Sequence, residues 1–411
     1  MPARFVNLDD DTPLLLPPNL RDWVAEDHLV HFIMDAVSLL DLSAAHVNHS
    51  GGGDEQYPPP MLLGLLLHGY ATGTFSSRRI EKNTCEQVAV RLLCADRHPD
   101  HDTICTFRVR HRALLASAFH QVLESAARVR VLRVGKVTLA LDGSKVPANA
   151  SKHSAVSHRQ EMAAFVEKQA RREAQAASGK KPRGRAPRPP SEAPEAKDQF
   201  NFTNPESRIM KAADGFQQSC NAQAAVEAGS RLIVSATVSA RPTTEEADGD
   251  REAGGRASKE QLVPTLAATS PVIRSVAAVL VDGGFYSEAA VSAVEAGTDG
   301  APGPEVHAAT GRQPHGRTVA QLEKRDDPPA PEAGASVAAV MTHRLATKAG
   351  RQLYGLRKQT IEPVLGIIKE ALGFRRFRLR GLGKARTEWT LVTLACNLKR
   401  LFHLGACLQA A

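Results

Sequence analysis

Three acidic residues carry the chemistry that this sequence offers most clearly. Asp142 ends an alternating stretch in which Val137, Leu139 and Leu141 interleave with Thr138 and Ala140, and a Gly143-Ser144 pair follows it. Asp282 follows a second apolar run, Val276 to Val281, and Glu362 lies in a basic stretch of helical character further on. Carboxylates are hard oxygen ligands suited to Mg²⁺ or Mn²⁺. Two such ions about 3.5–4 Å apart stabilise both the attacking and the leaving oxygen of a phosphodiester displacement. About three carboxylates are needed to hold them, so Mg²⁺ is the expected cofactor, with Mn²⁺ as the alternative. Taken singly, an Asp at a strand end reads first as a turn or helix cap. The neighbouring residues decide between the readings.

Those residues are LALDGSKVPANASKH over 139–153, NFTNPESRIMKAADGFQQSCNAQAAVE over 201–227, VLVDGGFYSE over 279–288 and LYGLRKQTIEPVLGIIKEALGFRRFRLRGL over 353–382. Together these blocks resemble the bacterial insertion-sequence transposases of the DDE class. DTPLLLPPNLRDWVAEDHLVHFI, YATGTFSSRRIE and HPDHDTICTFRVRH resemble that family's helical N-terminal region, so the resemblance covers most of the chain. It implies a ribonuclease-H-like catalytic domain, a mixed central sheet flanked by helices. There the first Asp ends the first strand, the second follows a neighbouring strand and the Glu lies on a late helix. The acids fall in that order here. Carried over, Asp142, Asp282 and Glu362 are the catalytic, metal-binding residues.

The related Tyr-Arg-Glu-Lys signature falls on Tyr354, Arg357, Glu362 and Lys369, which would position DNA phosphates. Four residues separate Arg357 from Glu362, where the signature commonly has three. Lys358, one helical turn before Glu362, is therefore a second candidate for the phosphate. Pro363 biases Glu362 away from helical geometry, which puts it at a helix start or a kink. The resemblance further implies metal-dependent cleavage at transposon ends and strand transfer into target DNA. Double-stranded DNA is then the partner, as terminal inverted repeats and target, bound by at least a homodimer. The alternatives are a hydrolytic nuclease of the same fold and a DNA-binding protein with a degenerate catalytic domain. Retention of all three acids speaks against the latter.

Positive charge is densest directly after Glu362, in Arg375, Arg376, Arg378, Arg380, Lys384 and Arg386, with Phe374 and Phe377 interleaved. Such a run neutralises phosphates and gives salt-sensitive, sequence-independent affinity. Arg78 and Arg79 open one N-terminal helix, while Arg108, Arg110 and His111 lie on another that would enter a major groove. His98, Asp100 and His101 sit in a Pro-containing turn without a further ligand at useful spacing, so capping by Asp100 or Asp102 is the expected role. His153 and His158 follow the first strand within reach of a phosphate, but a lone His is more often a surface or hydrogen-bonded residue. In the block from Pro205 to Gln223, Arg208 reads equally as a DNA contact or a structural residue.

The elements that must position these groups divide near residue 130. Before it the pattern is helical: Met61 to Tyr70 is a buried-type run, Ile80 to Leu93 has a 3.6-residue period, and Leu114 to Val129 is amphipathic. A helical DNA-binding region over 1–130 is expected. From Val137 the period changes, and strands are expected over Val137–Asp142, Cys220–Val226, Leu232–Val238, Val276–Val281 and Val306–Ala309, with a Ser287-capped helix Glu288–Ala296. The expected class over 131–411 is therefore α/β. Within it, 161–198 begins as a charged helix and decays into a Pro/Arg/Lys/Ala-rich stretch, read as a disordered basic insertion. Thr243 to Lys259 and Gln321 to Ser336 read as surface loops.

The 411 residues suffice for two or three domains, and 42% hydrophobic with 23% charged residues is a globular composition. A formal charge of +8 suits a polyanionic partner. No GxxxxGK[ST] and no strand-linked GxGxxG occurs, which removes support for nucleotide-driven chemistry. Six cysteines without a CxxC pair argue against a zinc site or a disulfide framework. The apolar runs are too short or too interrupted to span a membrane, and residues 1–13 lack a signal-peptide pattern. A cytoplasmic, nucleoid-associated location is expected.

Overall fold

A computed structural model describes residues 19–48, 55–151, 155–157, 166–174, 199–212, 215–240, 261–297, 301–310 and 327–408. The first part is helical: α1 (Leu29–Ser38), α2 (Pro59–Ala71), α3 (Ser77–Glu86), α4 (Val88–Leu93), α5 (His101–Arg110) and α6 (Arg112–Arg128). Prolines at the start of α2 pre-set its first turn, and every residue from Leu62 to Ala71 is buried, as an all-round apolar helix requires. Asp100 caps α5 by accepting the Thr103 N–H at 2.5 Å. The single helix expected over 80–93 is two helices, because Gln87 is extended (φ −109°, ψ 118°) between α3 and α4.

The sheet comprises β1 (Val137–Pro147), β4 (Arg208–Ala212), β5 (Gly215–Glu227), β6 (Ile233–Ser239), β7 (Val276–Val281) and β8 (Glu305–Ala308). A separate hairpin pairs β2 (Ala155–Ser157) with β3 (Gln199–Asn201). Across the main sheet β6, β5 and β1 run antiparallel, then β1, β7 and β8 run parallel, while β4 pairs with the first half of β5. This is a mixed sheet with helices, as the period change at Val137 implies.

One strand differs from expectation. β1 does not end at Asp142, because its antiparallel partner β5 continues the ladder to Pro147↔Ser219. Only the parallel partner stops there, at Leu141↔Val281. Gly143 lies inside this strand, where a Cβ would stand 2.8 Å from the Asn221 side-chain oxygen. The Gly-Ser pair marks a close approach, not a turn.

The remaining helices are α7 (Leu262–Ala267), α8 (Glu288–Ala296), α9 (Val337–Ala346), α10 (Lys348–Gly366) and α11 (Leu382–His403). Ser287 caps α8 by accepting the Ala290 N–H, at the position expected. Thr347 caps α10 likewise through the Gly350 N–H, and α10 packs against β1, β5 and β7. α11 packs against β6 and also against α1, α2, α5 and α6, so one continuous core joins the N-terminal helices to the sheet. The boundary expected near residue 130 falls in the connection from α6 to β1. Of the basic stretch 161–198, a helix over 166–174 lies among the described residues. The stretch 243–259 lies outside them. No helix among the described residues is long and apolar enough to cross a membrane.

Candidate active site

The register of β1 on β7 brings the first two acids together. Leu141↔Val281 is the last parallel rung, so Asp142 and Asp282 each stand one residue beyond it on neighbouring strands. Glu362 arrives from α10, which crosses both strands. The expectation of a helix start at Glu362 is corrected, because α10 begins at Lys348 and continues through Pro363 to Gly366. Burial of Ile361, Val364 and Leu365 against the sheet holds this turn despite the missing proline N–H. A π-helical turn, Ile367–Ala371, follows.

Arg357 stands at the centre of the three acids. Its guanidinium lies 3.6 Å from Asp142 Oδ2, 3.7 Å from Asp282 Oδ1 and 3.4 Å from Glu362 Oε1. It is buried, and its Nε has no hydrogen-bond partner among the described residues. Burial pushes the Asp142 carboxyl up to about 6; the Gly143 N–H and Arg357 oppose this, and the charges of Asp282 and Glu362 add to it. The guanidinium lies 5.9 Å from the centre of the Tyr354 ring. Burial raises the Tyr354 hydroxyl. Lys369 is half-buried in the π turn; burial lowers its ammonium pKa, and the Asp142 charge opposes that shift. The signature residues Tyr354, Arg357, Glu362 and Lys369 therefore gather around the two aspartates.

Lys358 does not. It is exposed and forms no ion pair with the acids, so at this spacing Arg357 and not Lys358 is the base that contacts them. Among the described residues no three His, Cys, Asp or Glu side chains close to metal-ligand geometry. The carboxylates surround the guanidinium instead. Their chemistry nevertheless fits a hard divalent cation: three carboxylates, one of them with its pKa raised, share a single positive charge.

The basic run is ordered. From Phe374 to Arg380, Phe374, Phe377 and Leu379 are buried while Arg375, Arg376, Arg378 and Arg380 are exposed. Phe374 and Phe377 meet edge to face at 5.5 Å, and Phe374 meets Phe75 of the N-terminal region at 5.1 Å. Arg375 pairs with Glu370. Lys384 and Arg386 continue the exposed series into α11, although Arg386 Nε donates to the Val238 carbonyl at 3.1 Å. Gly73 (φ 82°) lets the loop after α2 approach this segment, since a Cβ there would stand 2.7 Å from the Leu372 carbonyl oxygen.

Among the N-terminal arginines, Arg78, Arg79 and Arg110 are exposed. Arg108 is not, and its expected DNA contact is corrected. Only 4% of it is accessible, and its Nη1 donates to the Tyr70 hydroxyl at 2.7 Å and to the Phe75 carbonyl at 3.2 Å, facing Glu388 at 4.0 Å. His111, directly after the same helix, is also buried, so α5 offers no groove-reading face at these positions.

Other residues singled out by sequence make hydrogen bonds within the fold. Asp100 caps α5; His98 bonds Thr84, and His101 bonds Glu81 at 2.9 Å. Gln223 accepts from Thr237 and Thr265, and Glu206 accepts the Leu382 N–H at 2.6 Å. Arg208 donates to the Pro205 and Ser207 carbonyls. His153 and His158 lie outside the described residues. Sequence reasoning missed Glu388, whose signal was a charged residue among the mostly apolar buried positions of α11.

Two family models match parts of the chain. Residues 330–402, which include Tyr354, Arg357, Glu362 and Lys369, match the family model described as Transposase DDE domain. Residues 18–110 match a second, described as Transposase domain (DUF772). No curated protein and no solved structure matches the chain. The two matches bear out the resemblance to insertion-sequence transposases of the DDE class, for which DNA is the substrate and divalent metal dependence is general.

Proposed function

We propose that this transposase cleaves phosphodiester bonds at transposon ends and joins the freed 3′-hydroxyl to target DNA, with Asp142, Asp282 and Glu362 as its catalytic acids. The observation that carries the reading is the convergence of all three carboxylates on one point, the Arg357 guanidinium. Mg²⁺, or Mn²⁺, held by these acids would lower the barrier by stabilising the attacking and leaving oxygens. Arg357 then has two sets of partners: the acids before DNA binds, and a phosphate oxygen once the acids are otherwise neutralised. Tyr354 keeps the guanidinium in place by its ring, and Lys369, whose charge Asp142 feels, would orient the phosphate. The strand order, with the first Asp on the central strand, the second on its parallel neighbour and the Glu on a late helix, supports a ribonuclease-H-like catalytic domain over 131–411.

The exposed arginines 375, 376, 378 and 380, with Arg78, Arg79 and Arg110, would hold the DNA backbone, and two ends cut in one assembly call for at least a homodimer on DNA. The test is incubation with Mg²⁺ and labelled terminal inverted-repeat DNA, with cleavage and strand transfer scored separately. Both products should form in the wild type and neither in Asp282→Ala. Cleavage without joining would favour a hydrolytic nuclease. Binding without cleavage under any divalent ion would favour a degenerate catalytic centre.

A further inference from the structure

Glu388 is a carboxylate with no accessible surface, near the start of α11 and outside the cluster of acids around Arg357. Its Oε2 accepts two consecutive main-chain N–H groups, Arg378 at 2.9 Å and Leu379 at 3.0 Å. Its Oε1 accepts the Tyr70 hydroxyl at 3.2 Å and faces Arg108 at 4.0 Å. Arg108 in turn donates to the Tyr70 hydroxyl. A buried ion pair of this kind adds little net stability over an apolar replacement, so its presence calls for a different account. What it touches supplies one. Two adjacent peptide N–H groups in the middle of the exposed arginine run are tied to a single fixed oxygen.

Further anchors of that run come from the end of β1, the strand that bears Asp142, and the residues directly after it. The Phe377 N–H donates to the Pro147 carbonyl at 2.9 Å, and Asn149 Nδ2 donates to the Arg378 carbonyl at 2.6 Å. The Arg376 guanidinium also spans the Ala148 and Ala150 carbonyls at 3.3 Å each. Main-chain groups from the Phe377 N–H to the Leu379 N–H are thus fixed, alternately by the end of β1 with the residues after it and by Glu388. Between them the alternation of buried Phe377 and Leu379 with exposed Arg376, Arg378 and Arg380 cannot slip by a residue.

We propose that Glu388 is a positioning residue for nucleic-acid binding. Backed by Tyr70 and Arg108 and acting through the Arg378 and Leu379 N–H groups, it sets the spacing at which the arginines of 375–380 meet successive backbone phosphates. Its ligand class is the phosphodiester backbone, read without regard to sequence. The inference rests on the reading of this run as a DNA-contact surface. It goes beyond that reading in assigning the geometry of the run to a buried carboxylate of α11.

The experiment uses the full-length chain and a duplex of about 30 base pairs of arbitrary sequence without divalent ions, with Kd measured across a salt series. Arg376→Ala/Arg378→Ala should lower the magnitude of the log–log salt slope by about 1.8, roughly 0.9 for each phosphate that is no longer neutralised. Glu388→Gln keeps an oxygen for both N–H groups and should retain the wild-type slope, even if less stable. Glu388→Asp keeps the charge but withdraws it from the N–H groups. It should bind roughly tenfold more weakly, with the slope reduced by about 0.9, the equivalent of one phosphate. Should the arginine double variant keep its slope, the DNA-contact reading and the proposal both fall. Should that variant lose slope while Glu388→Asp binds as the wild type does, the proposal alone falls. Hydrogen exchange on the wild-type chain decides the matter without any variant. The Arg378 and Leu379 amides should be protected before DNA is added, and free exchange that slows only on DNA binding would overturn the proposal.

Discussion

Asp142 and Asp282 stand side by side at the same level, each one residue past the last parallel rung, Leu141↔Val281, Asp142 within β1 and Asp282 directly after β7. This relation puts two carboxylates side by side, yet they differ in what surrounds them. The side chain of Asp142 is one-quarter accessible and that of Asp282 more than half. Asp282 has no role in the core, so its removal separates chemistry from folding. Asp282→Ala should lower cleavage by at least about a hundredfold with a thermal midpoint close to wild type. A variant that unfolds, or one that cleaves normally, would contradict this division.

Among the described residues Arg357 is the one cation in contact with all three acids. On the proposed reading it would compete with a divalent ion for the same carboxylates. Arg357→Gln should tighten Mn²⁺ binding in the absence of DNA by about tenfold, equivalent to ~1.4 kcal/mol. The same variant should lose cleavage, because the phosphate loses its guanidinium. Titration calorimetry with Mn²⁺ alone reads the first effect; unchanged or weaker binding would show that Arg357 assembles the acids rather than competing for them.

Arg108 and Arg110 are two residues apart and expected to behave oppositely. Arg108→Ala leaves Glu388 buried without its counter-charge and should destabilise the chain by about 3–5 kcal/mol. Arg110 is exposed, and its replacement should stay within about 0.5 kcal/mol. Urea denaturation of both variants checks the pair. Comparable losses would mean that Arg108 is not the partner of Glu388.

The legible part of this fold is the part built on local pattern. The Ser287 cap, the Asp100 cap, the strand before Asp282 and the buried character of α2 all follow from residue type and period. What eluded sequence is what depends on a distant partner. β1 runs past Asp142 because β5 still pairs with it, and Gly143 reads as a turn only until Asn221 is seen beneath it. Arg108 looks like a surface base because its acid lies 280 residues away in α11. Arg357 has one residue more than the usual spacing to Glu362, and only the convergence of three elements shows that its long side chain still reaches the acids.

Gly143 and Asn221 offer a test of that close approach. A methyl group on Gly143 would meet the Asn221 side-chain oxygen at 2.8 Å, nearer than side chains tolerate. Gly143→Ala should therefore cost about 1–3 kcal/mol, and Asn221→Ala should relieve part of it. The double variant should be more stable than the sum of the single changes implies. Additive effects would locate the strain elsewhere in β1.

His68 links the core of α2 to pH. Its imidazole is buried, with an Nε2 that has no partner among the described residues, and stacks on His28 at 6.2 Å. Burial, with His28 adding to it, lowers its pKa from 6.5 to about 4. The folded chain thus binds fewer protons at this site than the unfolded chain between those values, and stability falls as pH drops through the window. A shift of this size corresponds to roughly 3 kcal/mol; the loss is complete below pH about 4 and absent above about 6.5. His68→Leu, which keeps the site apolar and removes the titration, should flatten the stability profile over that range relative to wild type. The difference between the two denaturation curves isolates this group from every carboxylate that titrates nearby. If the profiles run parallel from pH 6.5 to 4, then His68 is protonated in the folded protein.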